Sequence, residues 1–230
     1  MSETPMIEAR HVTKVYAAAS KVAAVAGLTV AFSKGEFTAI AGPSGSGKST
    51  LLNMIGTIDR PTEGEIRYEG RVVSNLSADD SAEFRLRKLG FIFQAYNLIP
   101  VLSAVENVEY PLVLQGVARA ERRSRALEAL RSVGIDPLAH RRPSDLSGGQ
   151  QQRVAVARAI VHRPLVVLAD EPTANLDSKT GAQLLDLMQG LNRDQGVTFL
   201  FSSHDPAVLE RAKRIVRMHD GKLADSAPSA

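Results

Sequence analysis

The 230 residues include no cysteine. That excludes a disulfide framework, cysteine-ligated zinc, thiol catalysis and cysteine-bound iron–sulfur clusters, and it leaves the redox compartment open. Charge of one sign is not in excess either: 28 Lys and Arg stand against 25 Asp and Glu, a net of +3. That balance is too small to predict nucleic-acid binding, and none is expected. The longest mostly apolar stretch, Val22 to Phe32, falls short of the roughly 20 residues that cross a bilayer. The opening Met-Ser-Glu-Thr-Pro carries Glu3 and Glu8 with Arg10 and His11 and has no apolar h-region. No signal peptide is therefore expected, and the chain is expected to stay on the side of the membrane where it is made. At 44% hydrophobic and 23% charged residues, with 17 Gly and 11 Pro, disorder, collagen and coiled coil are poor readings and a globular protein is expected.

No internal repeat and no low-complexity segment is present, and residues 1–5 and the tail Asp225 to Ala230 read as loose ends. The first part is strand-like: Ile7 to Val12, Val22 to Phe32, Glu36 to Ala41 after a Lys34-Gly35 turn, then Glu65 to Tyr68 and Arg71 to Val73. From Leu102 to Ile135 the period becomes helical, with Ala126, Leu127, Leu130 and Val133 on one face and Arg119, Arg122, Arg123 and Arg125 opposite. Those arginines read either as a solvated face or as a face for lipid headgroups. Beyond Arg153 the apolar runs Leu165 to Ala169 and Val197 to Phe201 alternate with helical patterns through Val154 to Val161 and Leu184 to Leu191. Such alternation predicts a parallel sheet covered on both faces, and Asp220-Gly221 predicts a closing hairpin.

The buried run Thr38 to Ala41 feeds into Gly42-Pro43-Ser44-Gly45-Ser46-Gly47-Lys48-Ser49-Thr50, and helical Leu51 to Ile55 follows. Glycines let successive backbone N–H groups turn inward around phosphate oxygens, and the helix N-terminus adds positive charge at the same point. Lys48 is placed to reach terminal phosphates and the Ser49 hydroxyl to bind Mg²⁺. Downstream, the run Leu165 to Ala169 ends in Asp170-Glu171-Pro172, two acids at the carboxyl edge of a parallel strand where open α/β sheets bind ligands. Successive strand residues point opposite ways, so Asp170 is assigned to the metal and Glu171 to the attacking water. A second anion-seeking helix start is Leu146-Ser147-Gly148-Gly149-Gln150, which precedes a helix over Gln151 to Val161 with Ser147 as its N-cap.

These segments, with Gln94 after Gly90-Phe-Ile-Phe93, Ala174-Asn-Leu-Asp177 and Ser203-His204-Asp205, resemble the ATP-binding-cassette ATPases in order and approximate spacing, from Tyr16 to His204. Tyr-Asn-Leu-Ile-Pro100, Glu106-Asn107-Val108 and Pro111-Leu112 look most like the lipoprotein-releasing and macrolide-exporter group. The resemblance implies an α/β fold: a P-loop NTPase core with a mainly parallel sheet, an N-terminal antiparallel β subdomain and an inserted helical subdomain at about 95–160, all within one domain over 1–230. It implies ATP and Mg²⁺ as ligands, the metal being held by Ser49, Gln94 and Asp170. Tyr16 would stack on adenine, and residues Gly42 to Thr50 would hold the phosphates. Ser147, Gly148, Gly149, Gln150 and Asp177 would meet the ATP of a second copy, while Lys48, Gln94, Glu171 and His204 would serve catalysis. Asp177 reads equally as the N-cap of the helix from Ser178, and Asp205 as an N-cap before Pro206. Ser202-Ser203-His204 and Ala-Asn-Leu-Asp depart from the commoner Val-Thr-His and Ser-Ala-Leu-Asp without removing Asp177 or His204.

The function implied is an ATP-hydrolysing transporter subunit that dimerises on ATP and drives a separate integral membrane permease for export or extraction. It would be cytoplasmic and peripheral on the inner face of the membrane. Tyr96, Leu98, Ile99 and Pro100 are either the permease dock or core beneath the insert. The alternatives are an ATPase that regulates an envelope protein without moving solute, and a soluble cassette ATPase that acts on nucleic acid or ribosomes.

Overall fold

The computed structural model describes residues 4–16 and 23–224. Val22, residues 1–3 and the tail from Asp225 lie outside the described residues, and with them parts of the predicted loose ends. The chain divides into two compact units, one of residues up to Glu83 and from Leu200 onward, the other Phe84–Phe199. The division falls within α2 (Ala78–Lys88) and β8 (Thr198–Ser203).

In the first unit β1 (Ile7–Val15) and β2 (Ala23–Phe32) form an antiparallel sheet with β4 (Glu63–Tyr68) and β5 (Arg71–Val72), in the order β2-β1-β4-β5. The predicted first strand is three residues longer because it carries a register shift after Ala9, where His11 takes φ 48. Opposite that bulge Gly64 is obligatory: a Cβ there would lie 2.3 Å from the His11 carbonyl oxygen. Parallel pairing joins β3 (Phe37–Ala41) to β9 (Arg214–His219), Thr38 beside Arg214 through Ala41 beside Arg217. The turn Asp220-Gly221, at φ 47 and 74, returns the chain into β10 (Lys222–Leu223) as predicted. Behind β3, Phe37 packs on Phe201 with ring centroids 4.9 Å apart.

In the second unit β6 (Leu89–Ile92) runs parallel to β7 (Val166–Asp170), and α3 (Ala104–Leu114), α4 (Arg119–Ser132) and α5 (Gly148–Ile160) pack on one another. Val105, Val108 and Leu112 on α3 are buried, as are Ala126, Ala129 and Leu130 on α4 and Val133 after it; Leu127 is half-buried. The Glu106 carboxylate accepts from Ser103 N and Oγ at 2.8 and 2.6 Å, closing the start of α3. Asn107 is 0% exposed: its amide donates to the Ile99, Leu102 and Ser103 carbonyls and its Oδ1 accepts from Ile99 N, so one side chain satisfies a whole loop.

The reading of the α4 arginines as one solvated or lipid-facing surface is corrected. Arg123 reaches buried Glu109 at 3.0 Å, Arg122 lies 3.9 Å from the same carboxylate, and Arg125 donates to the Val161 carbonyl. Buried Glu109 draws Arg122 and Arg123 toward it, and Arg125 bends to the Val161 carbonyl, so three of the four side chains are half-buried. Helix α2 has no counterpart in the sequence reading. Its buried set is Ser81 alone, so apolar periodicity was absent. Its signals were the Ser77 cap, which accepts from Asp80 N, and acids first and bases last along the dipole.

His162 follows α5 with Nε2 2.9 Å from the Leu89 carbonyl oxygen, while its Nδ1 is buried and has no partner among the described residues. Burial lowers its pKa from the ordinary 6.5. The unfolded chain therefore binds the proton more readily, and stability is present above 6.5 and lost as pH falls through the lowered folded value. Urea denaturation between those two pH values is expected to show decreasing stability in the wild type and a flatter profile in His162→Gln.

Candidate functional site

The glycine loop follows β3 and leads into α1 (Lys48–Ile55), whose first turn holds no acid. Two glycines there are dictated by close approach rather than by flexibility. A Cβ on Gly42 would lie 2.3 Å from the Met218 carbonyl oxygen, and one on Gly47, at φ 97, 2.3 Å from that of Ala24. The closing hairpin also holds the loop directly, since Gly221 N donates to the Ser46 carbonyl at 3.1 Å. Lys48 is 7% exposed, and its ammonium donates to the Gly42 and Pro43 carbonyls at 2.8 and 3.0 Å. A buried cation is thus wrapped by the segment that precedes it. Ser46 Oγ is buried with no hydrogen-bond partner among the described residues. A captive ammonium, an unmatched hydroxyl and a helix N-terminus fit an anionic phosphate chain.

Tyr16 stands 43% exposed beside this loop, and its hydroxyl donates to Asp59 at 2.8 Å and contacts the Thr50 side chain. Lys14 sits 5.0 Å from the ring centroid and pairs with Asp59 at 2.5 Å. Burial first, then Asp59, raises the phenol pKa, so the ring is neutral. His204 is exposed past the end of β8; Asp205 caps α7 (Pro206–Leu209) by accepting from Ala207 N at 2.9 Å, the predicted cap before proline.

In the second unit β7 ends at Asp170, and Glu171 takes φ 45. The expectation that strand pleating alone separates the two carboxylates is corrected: the chain leaves extended geometry at Glu171, and a left-handed turn sets its direction. Pro172, next in the chain, is held through its carbonyl by Gln152 Nε2 at 2.6 Å; Gln152 is fully buried and its Oε1 has no partner among the described residues. Asp177 caps α6 (Ser178–Gln195), accepting from Lys179 N, Thr180 N and Thr180 Oγ1 at 3.1, 3.0 and 2.6 Å. The Thr180 hydroxyl and amide hold its carboxyl below the usual carboxylate range.

Helix α5 begins at Gly148, three residues before the expected Gln151. Ser147 caps it, as predicted, through a reciprocal pair in which Gln150 N donates to Ser147 Oγ and Ser147 N to Gln150 Oε1. A side chain at either following glycine would have to displace a neighbouring one: a Cβ would meet Tyr96 Oη at 2.8 Å from Gly148 and Thr180 Cγ2 at 2.5 Å from Gly149. Gln94 is exposed, and its carbonyl accepts from Asn175 Nδ2 at 2.9 Å. The second unit therefore brings Gln94, the start of α5 and the turn before Asp177 to one edge, while the first brings Tyr16 to residues 42–50. Gln152 and Arg158, which supports the loop after Gln94, escaped the sequence reading because their partners are backbone carbonyls far away in the chain. Among the described residues no three His, Cys, Asp or Glu form a group that could hold a metal alone.

A buried lysine inside a glycine loop between strand and helix, in an α/β chain, defines a P-loop nucleotide-binding protein. Residues 25–174 match the family described as ABC transporter. An ABC transporter ATP-binding protein of Thermotoga maritima is 48% identical over 203 residues, covering 88% of this chain and 86% of that one. The lipoprotein-releasing system ATP-binding protein LolD of Anaeromyxobacter dehalogenans is 45% identical, covering 98% and 95%. The macrolide export ATP-binding/permease protein MacB of Hyphomonas neptunium is 47% identical over 95% of this chain, which spans only 34% of that protein. A dimeric post-hydrolysis structure of an ATP-binding cassette from Methanocaldococcus jannaschii, bound to ADP and Pi, aligns with a TM-score of 0.86 at 43% identity over 95% of this chain and 96% of that one. The chain belongs to the ABC transporter ATP-binding proteins, P-loop ATPases.

Replacing Lys48 with Ala is expected to weaken ATP binding by about 2–3 kcal/mol, roughly 30- to 150-fold. Isothermal titration calorimetry checks this, and unchanged affinity would remove the ammonium from the site.

Proposed function

We propose that the chain works as a single ATPase domain that binds and hydrolyses ATP, pairs with a second copy of itself on ATP, and drives a membrane permease for export or extraction. The observation that carries this reading is the captive Lys48 ammonium within the loop Gly42 to Thr50. The dimeric cassette bound to ADP and Pi supports the pairing, and the lipoprotein-releasing and macrolide-exporting relatives support the transport role. Among the described residues no helix is long and apolar enough to cross a membrane. The reading places the domain on the cytoplasmic face, beside its permease.

In this reading Lys48 and the amides of residues 42–50 neutralise the phosphates, and Tyr16, fixed by Asp59, offers its ring to adenine. Ser49, Gln94 and Asp170 would hold Mg²⁺, which would offset further phosphate charge. Glu171 and His204 orient the attacking water, Glu171 accepting its proton, so catalysis is positioning and charge neutralisation without a covalent intermediate. Ser147, Gly148, Gly149, Gln150 and Asp177 serve the ATP held by the second copy. The γ-phosphate bridges two chains, and its release parts them.

The permease has a suitable seat in the second unit. A groove of about 300 Å³ runs between β6 and α3, lined by Leu86, Phe91, Phe93, Tyr110 and Leu114 with Arg85 and Arg158. Leu114 on its rim is 56% exposed, and Tyr110 and Val113 stand out nearby. Apolar walls of this kind suit a short amphipathic segment of the permease.

Glu171→Gln is expected to retain ATP binding, lower kcat by about 100-fold or more, and accumulate a dimer with ATP in size-exclusion chromatography; undiminished hydrolysis would remove Glu171 from its role. Leu114→Asp is expected to leave the ATPase activity of the purified chain within about two-fold of wild type and to abolish copurification with an integral membrane protein from detergent-solubilised membranes. Retained copurification would place the dock elsewhere.

A further inference from the structure

The loop after Gln94 is held in a conformation that residues with side chains avoid. Tyr96 and Asn97 are consecutive and both left-handed, at φ 61 and 50. Arg158 holds them there: one guanidinium nitrogen donates to the Tyr96 carbonyl at 2.8 Å and the other to that of Asn97 at 2.5 Å. Arg158 lies ten residues along α5 from Gly148, so the rigid helix that braces the loop also presents the Ser147–Gly149 start. The strained backbone delivers the Tyr96 ring to that start, where its hydroxyl lies 2.8 Å from the position a Cβ on Gly148 would take.

The same hydroxyl donates to the Asn175 carbonyl at 3.4 Å, and the Asn175 amide donates back to the Gln94 carbonyl at 2.9 Å. Two bonds running in opposite directions, across 79 and 81 residues of chain, thus join one exposed asparagine to both ends of the segment 94–96. Asn175 sits four residues after Glu171 and two before Asp177. An asparagine in such a turn ordinarily satisfies its own backbone neighbours; this one spends its amide on a distant loop.

We propose that Asn175 is a positioning residue that ties the turn between Glu171 and Asp177 to the loop carrying Gln94, so that the placement of Glu171 follows the placement of that loop. The proposal rests on the reading of Glu171 and Gln94 given above. It adds a route: displacement of segment 94–97 pulls on Asn175, while the Arg158 brace keeps the start of α5 in step with both. The Asn175 amide belongs to the Ala-Asn-Leu-Asp form of this chain. The Ser-Ala-Leu-Asp form has no donor at that position.

Asn175 is exposed, so its replacement leaves the packed interior intact. In Asn175→Ala, kcat for ATP is expected to fall about five-fold with KM unchanged, the size of one hydrogen bond lost from a positioned turn. Asn175→Asp, which sets a carboxylate against the Gln94 carbonyl, is expected to fall at least as far. Tyr96→Phe removes the return bond, and its effect is expected to be less than additive with that of Asn175→Ala. In the nucleotide-free protein, hydrogen exchange in segments 94–97 and 172–177 is expected to accelerate together in Asn175→Ala while the melting temperature stays near wild type. Unchanged kcat and unchanged exchange would overturn the proposal, as would a loss confined to KM. If Glu171→Gln abolishes turnover while Asn175→Ala matches wild type, the positioning role alone falls. If wild-type turnover does not depend on Glu171, the catalytic reading falls and the proposal with it.

Discussion

The constraint on which the glycine loop depends is the burial of one ammonium. A lysine taken out of water needs oxygen partners, and Lys48 finds them in Gly42 and Pro43, carbonyls of the segment it follows. Those two bonds curl the loop around the cation. Curling it presses Gly42 against Met218 and Gly47 against Ala24, so backbone from β9 and from β2 becomes the wall of the loop. The hairpin at Gly221 adds a direct bond to Ser46. Residues near both ends of the chain thus support a loop lying in its first quarter, which accounts for β9 and β10 belonging to the first unit.

The second unit solves a different problem. Its functional segments are irregular: the loop after Gln94, the turn from Glu171 to Leu176, the loop before α3. Irregular backbone must find hydrogen-bond partners outside itself. Buried or half-buried side chains from two helices provide them, Asn107 on α3 for residues 99–103, and Gln152 and Arg158 on α5 for Pro172 and for Tyr96 and Asn97. These irregular segments are thereby mounted on helices, a common arrangement for residues whose geometry matters to chemistry. The inward turn of Arg122, Arg123 and Arg125 belongs to the same economy, since charges that a helical pattern leaves unassigned are drawn to Glu109 and to the Val161 carbonyl.

Much of this was legible in the residues because the signals are local. Gly42 to Thr50 announces its loop through residue type at adjacent positions, Ser147 and Asp205 announce their caps through the residues that follow, and Asp220-Gly221 announces its turn. Strand ends were less legible: a residue before proline favours extended backbone, yet Glu171 takes φ 45. Helix α2 was missed because a nearly all-polar helix shows no apolar stripe, although its cap and charge order were present.

The sequence by itself determined the class of protein: a glycine loop between strand and helix, an acid pair after a buried apolar run and a capped glycine-rich helix start mark membership of the ABC transporter ATP-binding proteins. These are patterns of neighbouring residues, and neighbours along a chain stay neighbours in any fold. Tertiary structure alone decided that Lys48 is captive, that Tyr16 is pinned by Asp59, that Arg158 braces two left-handed residues, and that Asn175 reaches Gln94 across 81 positions. Each of these joins a side chain to a backbone carbonyl or carboxylate whose position depends on the folded chain, and a backbone carbonyl carries no letter by which a sequence could mark it.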